Sequence, residues 1–149
     1  MEEQQGGPVT LTIPCVAEYV GTARLTILGV AGRMGFSYDQ IEDIRLAVGE
    51  ACANAIERSR TVKPANGALP LVTVRCLADA SKLVIEVEDA GPSEKPEPVD
   101  LDRPAHAVSD MDSAELGALL MEILVDEVAV ESAPNGGTMV RLTKHVESR

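Results

Sequence analysis

Apolar and polar positions along this chain repeat with two different periods, and the switches between them mark its elements. Val9-Thr10-Leu11-Thr12-Ile13 alternates at every second residue, which predicts a strand stopped by Pro14. From Glu18 to about Met34 the period lengthens. Val20, Ala23, Ile27, Val30, Ala31 and Met34 recur at spacings of three and four, as in an amphipathic helix. Ser37 followed by Gln40 reads as a capping box opening a second helix, which carries Ile41, Ile44, Val48, Ala51, Cys52, Ala55 and Ile56 towards the core and ends near Arg60. Pro64, Asn66, Gly67 and Pro70 make 61–70 a loop.

Two strand-like runs follow, Leu71 to Leu77 and Lys82 to Glu88, joined by Ala78-Asp79-Ala80-Ser81, a link short enough for an antiparallel hairpin. From Pro92 to Asp112 the chain turns acidic and proline-rich without any period, and a connection of that length is usually functional or mobile. Helical spacing resumes at Ala114 and runs through Leu116, Leu119, Leu120 and Ile123. Strands Glu127–Glu131 and Thr138–Thr143 then flank the turn Ala133-Pro134-Asn135-Gly136-Gly137. With no internal repeat and no second-domain boundary, residues 1–149 read as one domain with a flexible head over 1–8. The expected class is α+β, with helices packed on one face of a mostly antiparallel sheet.

A chain of 149 residues can bury a real core, and 45% of it is hydrophobic. Trp is absent, Phe occurs once and Tyr twice, so that core must be aliphatic. The net charge of -11 argues against nonspecific nucleic-acid binding, which needs an excess of Lys and Arg. It leaves room for a basic protein partner. No apolar run of about 18 residues is present to span a membrane, and the acidic, polar start is unlike a signal peptide, so a cytoplasmic location is expected. Cys15, Cys52 and Cys76 are widely spaced, with no Cys-x-x-Cys. They read as reduced thiols, two of them buried as small hydrophobes.

The chemistry concentrates in three places. Glu50 and Asn54 stand one turn apart on the second helix, hence on one face, with the small Ala47, Ala51 and Ala55 nearby. A rigidly held carboxamide oxygen suits Mg²⁺, which takes few protein ligands and fills its shell with water and phosphate oxygens. A carboxylate one turn earlier could orient a hydroxyl or take its proton during phosphoryl transfer. Both residues could equally belong to a solvated helix stripe. Asp89 at the exit of a strand could accept a hydrogen bond from the exocyclic amine of adenine, with Gly91 letting the backbone approach the base; Asp and Gly are also ordinary turn residues. Gly136-Gly137-Thr138 could form a hairpin turn or bring a hydroxyl near phosphate.

Taken in order, Glu50-x-x-x-Asn54, Asp89-x-Gly91, a glycine-bearing helix start and Gly137-Thr138 resemble the motifs of the Bergerat-fold ATPases, the superfamily of gyrase and the histidine kinases. Ala17-Glu18-Tyr19-Val20-Gly21, Met34-Gly35, Tyr38 to Asp43, Leu120-Met121-Glu122 and Asp126-Glu127-Val128 are similar to the bacterial anti-sigma serine kinases of the RsbW type, and Arg141 to His145 to their sporulation relatives. The likeness runs from about Val9 to Val146. It implies an ATP- and Mg²⁺-dependent protein-serine kinase, homodimeric, that captures a sigma factor and phosphorylates a small anti-anti-sigma protein of the STAS type on serine. By position it makes Glu50 the acid–base residue, Asn54 the Mg²⁺ ligand and Asp89 the reader of adenine. It puts Gly91 in the base pocket, Gly117 and Thr138 near the phosphates, and Arg24 as an exposed grip on both protein partners. The 92–112 segment would be the ATP lid.

Two departures stand out. Glu115 occupies a place where the family has glycine, and a carboxylate near a triphosphate is repelled. Arg58 stands where the family often has histidine, and from there an arginine could reach the phosphates or form a salt bridge. The leading expectation is a partner-switching kinase. A kinase-inactive module that only sequesters partners is the alternative, and a detached histidine-kinase-like ATPase domain is a third reading.

Overall fold

The computed structural model describes residues 7–59, 69–90, 113–134 and 136–146. Five antiparallel strands run in the order β1-β2-β3-β5-β4: β1 (Val9–Pro14), β2 (Leu71–Ala78), β3 (Lys82–Glu88), β4 (Glu127–Ser132) and β5 (Thr138–His145). Their period-two pattern sets the register. Ile13 stands opposite Val72, Val74 opposite Val87, and Ile85 opposite Leu142, so the apolar set lines one face. Helices α1 (Val20–Ala31), α2 (Tyr38–Ser59) and α3 (Ser113–Leu124) supply the second layer. The core between the layers joins Ala23, Ile27, Ile44, Val48, Cys52 and Ile56 to the strand residues. Its buried members are mostly aliphatic, as the scarcity of aromatics requires, and Cys52 and Cys76 are buried among them.

Local chemistry accounts for the element ends. Ser37 N–H donates to Gln40 Oε1 and Gln40 N–H to Ser37 Oγ, both at 3.1 Å, which is the expected reciprocal cap of α2. Asp79 Oδ1 accepts from the backbone N–H groups of Ser81 and Lys82 and closes the β2–β3 hairpin. The first helix differs from expectation. A 3₁₀ turn over Ala17–Tyr19 precedes it, and it stops at Ala31 rather than Met34, because the chain turns through Gly32 to Gly35, whose φ of 86° glycine adopts most readily.

On the face of the sheet away from the helices, Glu86 sits between Arg75 (2.9 Å) and Arg141 (3.1 Å), and Arg141 continues to Glu131 (2.9 Å). No helix among the described residues is long and apolar enough to cross a membrane. The expected lid over 92–112 lies outside the described residues, as do Gly91 and most of the 61–70 loop.

Candidate functional site

The C-terminal half of α2 organises the site. Glu50, Asn54 and Arg58 follow one another at intervals of four and so share a face, and all three are half-buried. Ala47, Ala51 and Ala55, next to the pair along the helix, are fully buried and let α2 sit close to the sheet. From the other side α3 comes up against Glu50 and Asn54. A Cβ placed on Gly117 would stand 2.5 Å from Glu50 Oε2 and 3.0 Å from Asn54 Nδ2, so a side chain there would have to displace the two polar groups. Glycine here answers to proximity.

One turn further on, the same face reaches the exit of β3. Asp89 is fully buried, and its Oδ2 accepts from Arg58 Nε at 2.8 Å while its Oδ1 accepts from the Thr138 N–H at 3.2 Å. The backbone locks the junction, since Asp89 N–H donates to Thr138 O at 3.0 Å. Arg58 is partly exposed but Asp89 is not, so loss of the arginine would leave a buried carboxylate uncompensated. Of the two roles open to Arg58 from sequence, the structure selects the salt bridge, and its partner is the carboxylate expected to read adenine. Gly137 lies so close to Asp89 that a Cβ on it would collide with the Asp89 carbonyl oxygen. Neighbouring Gly136 has φ 92° and supplies the turn itself. The Gly-Gly pair therefore does two different jobs, one conformational and one steric.

Several expected residues land elsewhere. Thr138 is buried beside Asp89, whereas Gly117 is against Glu50 and Asn54, so the two residues grouped at the phosphates touch different parts of the site. Arg24 is half-buried, not exposed: its guanidinium lies down on Gly49, where the absence of a side chain makes room. Its Nε is buried with no hydrogen-bond partner among the described residues. Glu115 occupies the first turn of α3, the positive end of the helix dipole, where a carboxylate is favourable for the helix and competes with any phosphate.

Two residues near Asp89 were missed from sequence. The Cys15 thiol is pushed up by burial, held back by the Ser59 hydroxyl beside it, and pushed further by the Asp89 charge, so it stays a neutral thiol. Burial likewise pushes Cys52 up to about 12. No local pattern signals Cys15, because it reaches Asp89 only through sheet pairing. A separate polar groove, lined by Asp39, Gln40, Asp43, Asp126 and Lys144 with a volume of about 540 Å³, lies by the start of α2. There Lys144 Nζ donates to Leu124 O at 2.7 Å.

Comparison with known proteins bears on the family and the fold. Residues 13–144 match the histidine kinase-like ATPase domain family. The chain is 41% identical to the serine-protein kinase RsbW of Bacillus pumilus, over 91% of this chain and 84% of that protein. To the RsbW of Bacillus velezensis it is 39% identical over 93% and 85%. Its fold matches the crystal structure of the RsbU and RsbW domains of a Mycobacterium tuberculosis protein with a TM-score of 0.67 at 19% identity, covering 97% of this chain and 34% of the longer one.

Proposed function

Because this chain belongs to the histidine kinase-like ATPase domains and, among them, to the RsbW serine-protein kinases, we propose that it moves the γ-phosphoryl group of ATP to a serine of an anti-anti-sigma protein. Its alternative complex would sequester an RNA polymerase sigma factor. Protein-serine kinase chemistry and a nucleotide site come with the family. The specific roles, the partners and the homodimer are the proposal. One observation carries it: a single face of α2 meets Gly117 through Glu50 and Asn54, and meets Asp89 through Arg58.

In this reading Asp89 accepts from the exocyclic amine of adenine, and Thr138 with Gly137 fixes the position of that carboxylate. Asn54 offers its carboxamide oxygen to Mg²⁺, and the backbone of α3 at Gly117 comes close to that side chain. Among the described residues no three His, Cys, Asp or Glu side chains gather as a metal cage, which suits a cation held mainly by phosphates and water. Bound there, Mg²⁺ supplies neutralisation of charge on the phosphates. Glu50 accepts the proton of the substrate serine as its oxygen bonds to the γ-phosphorus and the bond to the β-phosphate oxygen breaks, leaving ADP. Arg24, lying beside the residue that precedes Glu50, would join partner capture to the reaction. The two protein partners compete, and nucleotide state biases the outcome through its differential affinity for each complex.

Glu115 in the first turn of α3 favours a second reading, a partner-switching module that binds without transferring phosphate. Incubating the full chain with Mg-ATP and a STAS-type protein separates the two. Phosphoserine on the partner, absent with Glu50→Gln, supports the kinase. Tight partner binding with no phosphoserine supports the module and refutes transfer.

A further inference from the structure

Arg58 holds more than an ion pair. Its guanidinium is a planar fork in which the Nε–H and one Nη2–H point side by side. Nε donates to Asp89 Oδ2, but Nη2 is buried and has no hydrogen-bond partner among the described residues. A bidentate pair with the carboxylate would have used both donors. Here Asp89 Oδ1 is turned instead to the Thr138 N–H. The next residue, Ser59, is almost wholly buried, and its hydroxyl lies beside the Cys15 thiol. Buried polar atoms without partners are rare, and each calls for an explanation. At the end of α2 that faces a buried carboxylate, the unpaired Arg58 Nη2 is a donor that a ligand acceptor would satisfy.

We infer that Arg58 is a specificity-determining residue that reads the base together with Asp89, its Nη2 donating to a ring nitrogen of a 6-aminopurine while Asp89 accepts from the amine. The inference rests on the nucleotide reading above and adds a second contact to it. An acceptor carboxylate beside a guanidinium donor matches the edge of adenine, where the donor amine at C6 is flanked by the acceptors N1 and N7. Guanine and hypoxanthine carry an acceptor oxygen at C6 and a donor at N1, so at that edge they oppose Asp89. Mismatched hydrogen-bonding edges discriminate strongly because they leave buried groups unpaired. Arg58 also keeps Asp89 paired before the base arrives, so the carboxylate is aimed in advance.

The test compares affinities of the full chain for Mg-ATP, Mg-1-deaza-ATP, Mg-7-deaza-ATP and the triphosphate of purine riboside, which lacks the 6-amino group. Each is measured by calorimetry on the parent, Arg58→Ala and Arg58→Lys. Lysine keeps a positive charge for Asp89 but loses the parallel second donor, so it covers the case in which alanine unfolds the chain. For the parent, one deaza analogue should bind about tenfold more weakly than ATP, as loss of a hydrogen bond to a charged donor would cause. In both variants that penalty should shrink to less than about twofold. Equal deaza penalties in parent and lysine variant would overturn the inference, as would no penalty in the parent. A uniform tightening of all four ligands on removing Arg58 would also overturn it, making the residue a mere obstruction. If loss of the 6-amino group leaves parent affinity unchanged, the role of Asp89 fails and the inference fails with it.

Discussion

Replacing Gly137 by alanine probes the junction on which the base-reading end of the site depends. The added Cβ would collide with the Asp89 carbonyl oxygen and stand 2.8 Å from its carbonyl carbon and 3.0 Å from Oδ1. These are mostly backbone atoms, so no flexible side-chain tip can swing aside. The start of β5 must move away from the exit of β3, where Asp89 N–H donates to Thr138 O at 3.0 Å and Thr138 N–H to Asp89 Oδ1 at 3.2 Å. Overpacking a close contact costs about 1–3 kcal/mol, and losing one or both of these hydrogen bonds adds about 1–2. A destabilisation of about 2–5 kcal/mol is a large share of a domain's total stability. Urea unfolding should therefore show a lower midpoint with an unchanged slope. Mg-ATP affinity should fall at least about tenfold, because the Asp89 carboxylate is aimed elsewhere. Gly29→Ala is the matched control: in α1, with nothing near its Cβ, it should be neutral or stabilise by up to about 1 kcal/mol. If Gly137→Ala unfolds within about 0.5 kcal/mol of the parent and binds nucleotide equally, the close approach of β3 and β5 is not what shapes the site.

Four further outcomes follow from the same geometry. Glu50→Gln should lower the phosphoserine transfer rate at least about a hundredfold and leave Mg-ATP affinity within about threefold; equal losses in both would make Glu50 a binding residue. Asn54→Ala should weaken Mg-nucleotide binding at least about tenfold, or about 1.4 kcal/mol, by calorimetry, and an unchanged affinity would remove it from the metal. Glu115→Gln should tighten Mg-ATP about two- to fivefold by removing a charge that competes for the α3 dipole; no change would clear Glu115 of obstructing phosphate. Glu86 titrates with a definite sign. Burial pushes its pKa up, but hydrogen bonds and charge from Arg75 and Arg141 outweigh this and hold it below the usual glutamate range. Its stabilisation is then complete above the unfolded glutamate value of about 4.3 and is lost as pH falls through the lower folded value. The urea midpoint of Glu86→Gln should accordingly fall less than the parent's between about pH 5 and 3.

The sequence made visible whatever depends on near neighbours. The Ser37–Gln40 cap, the Asp79 hairpin and the alternation of β2 and β3 each arise within a few residues, and each stands where the pattern puts it. Glu50 and Asn54 were equally legible, because one helical turn fixes their common face. What stayed hidden depends on chain crossings. Arg58 meets Asp89 across 31 positions, and nothing near either residue announces the other. The collision space at Gly137 looks in sequence like one more turn glycine, and Thr138 was read towards phosphate because its contact with Asp89 exists only through the β3–β5 register. Arg24 was read as exposed since helical spacing gives no hint that Gly49 on another helix leaves it a place to lie.

Backbone amide chemical shifts during titration with Mg-ADP test the central claim most directly, because they report every segment at once. Amides from Gly49 to Arg58, with Asp89, Gly117 and Thr138, should shift together along one binding isotherm, as a single ligand touching α2, α3, β3 and β5 requires. Shifts confined to the groove around Gln40, Asp43 and Lys144, or separate affinities for the Asn54 and Asp89 regions, would contradict a shared site.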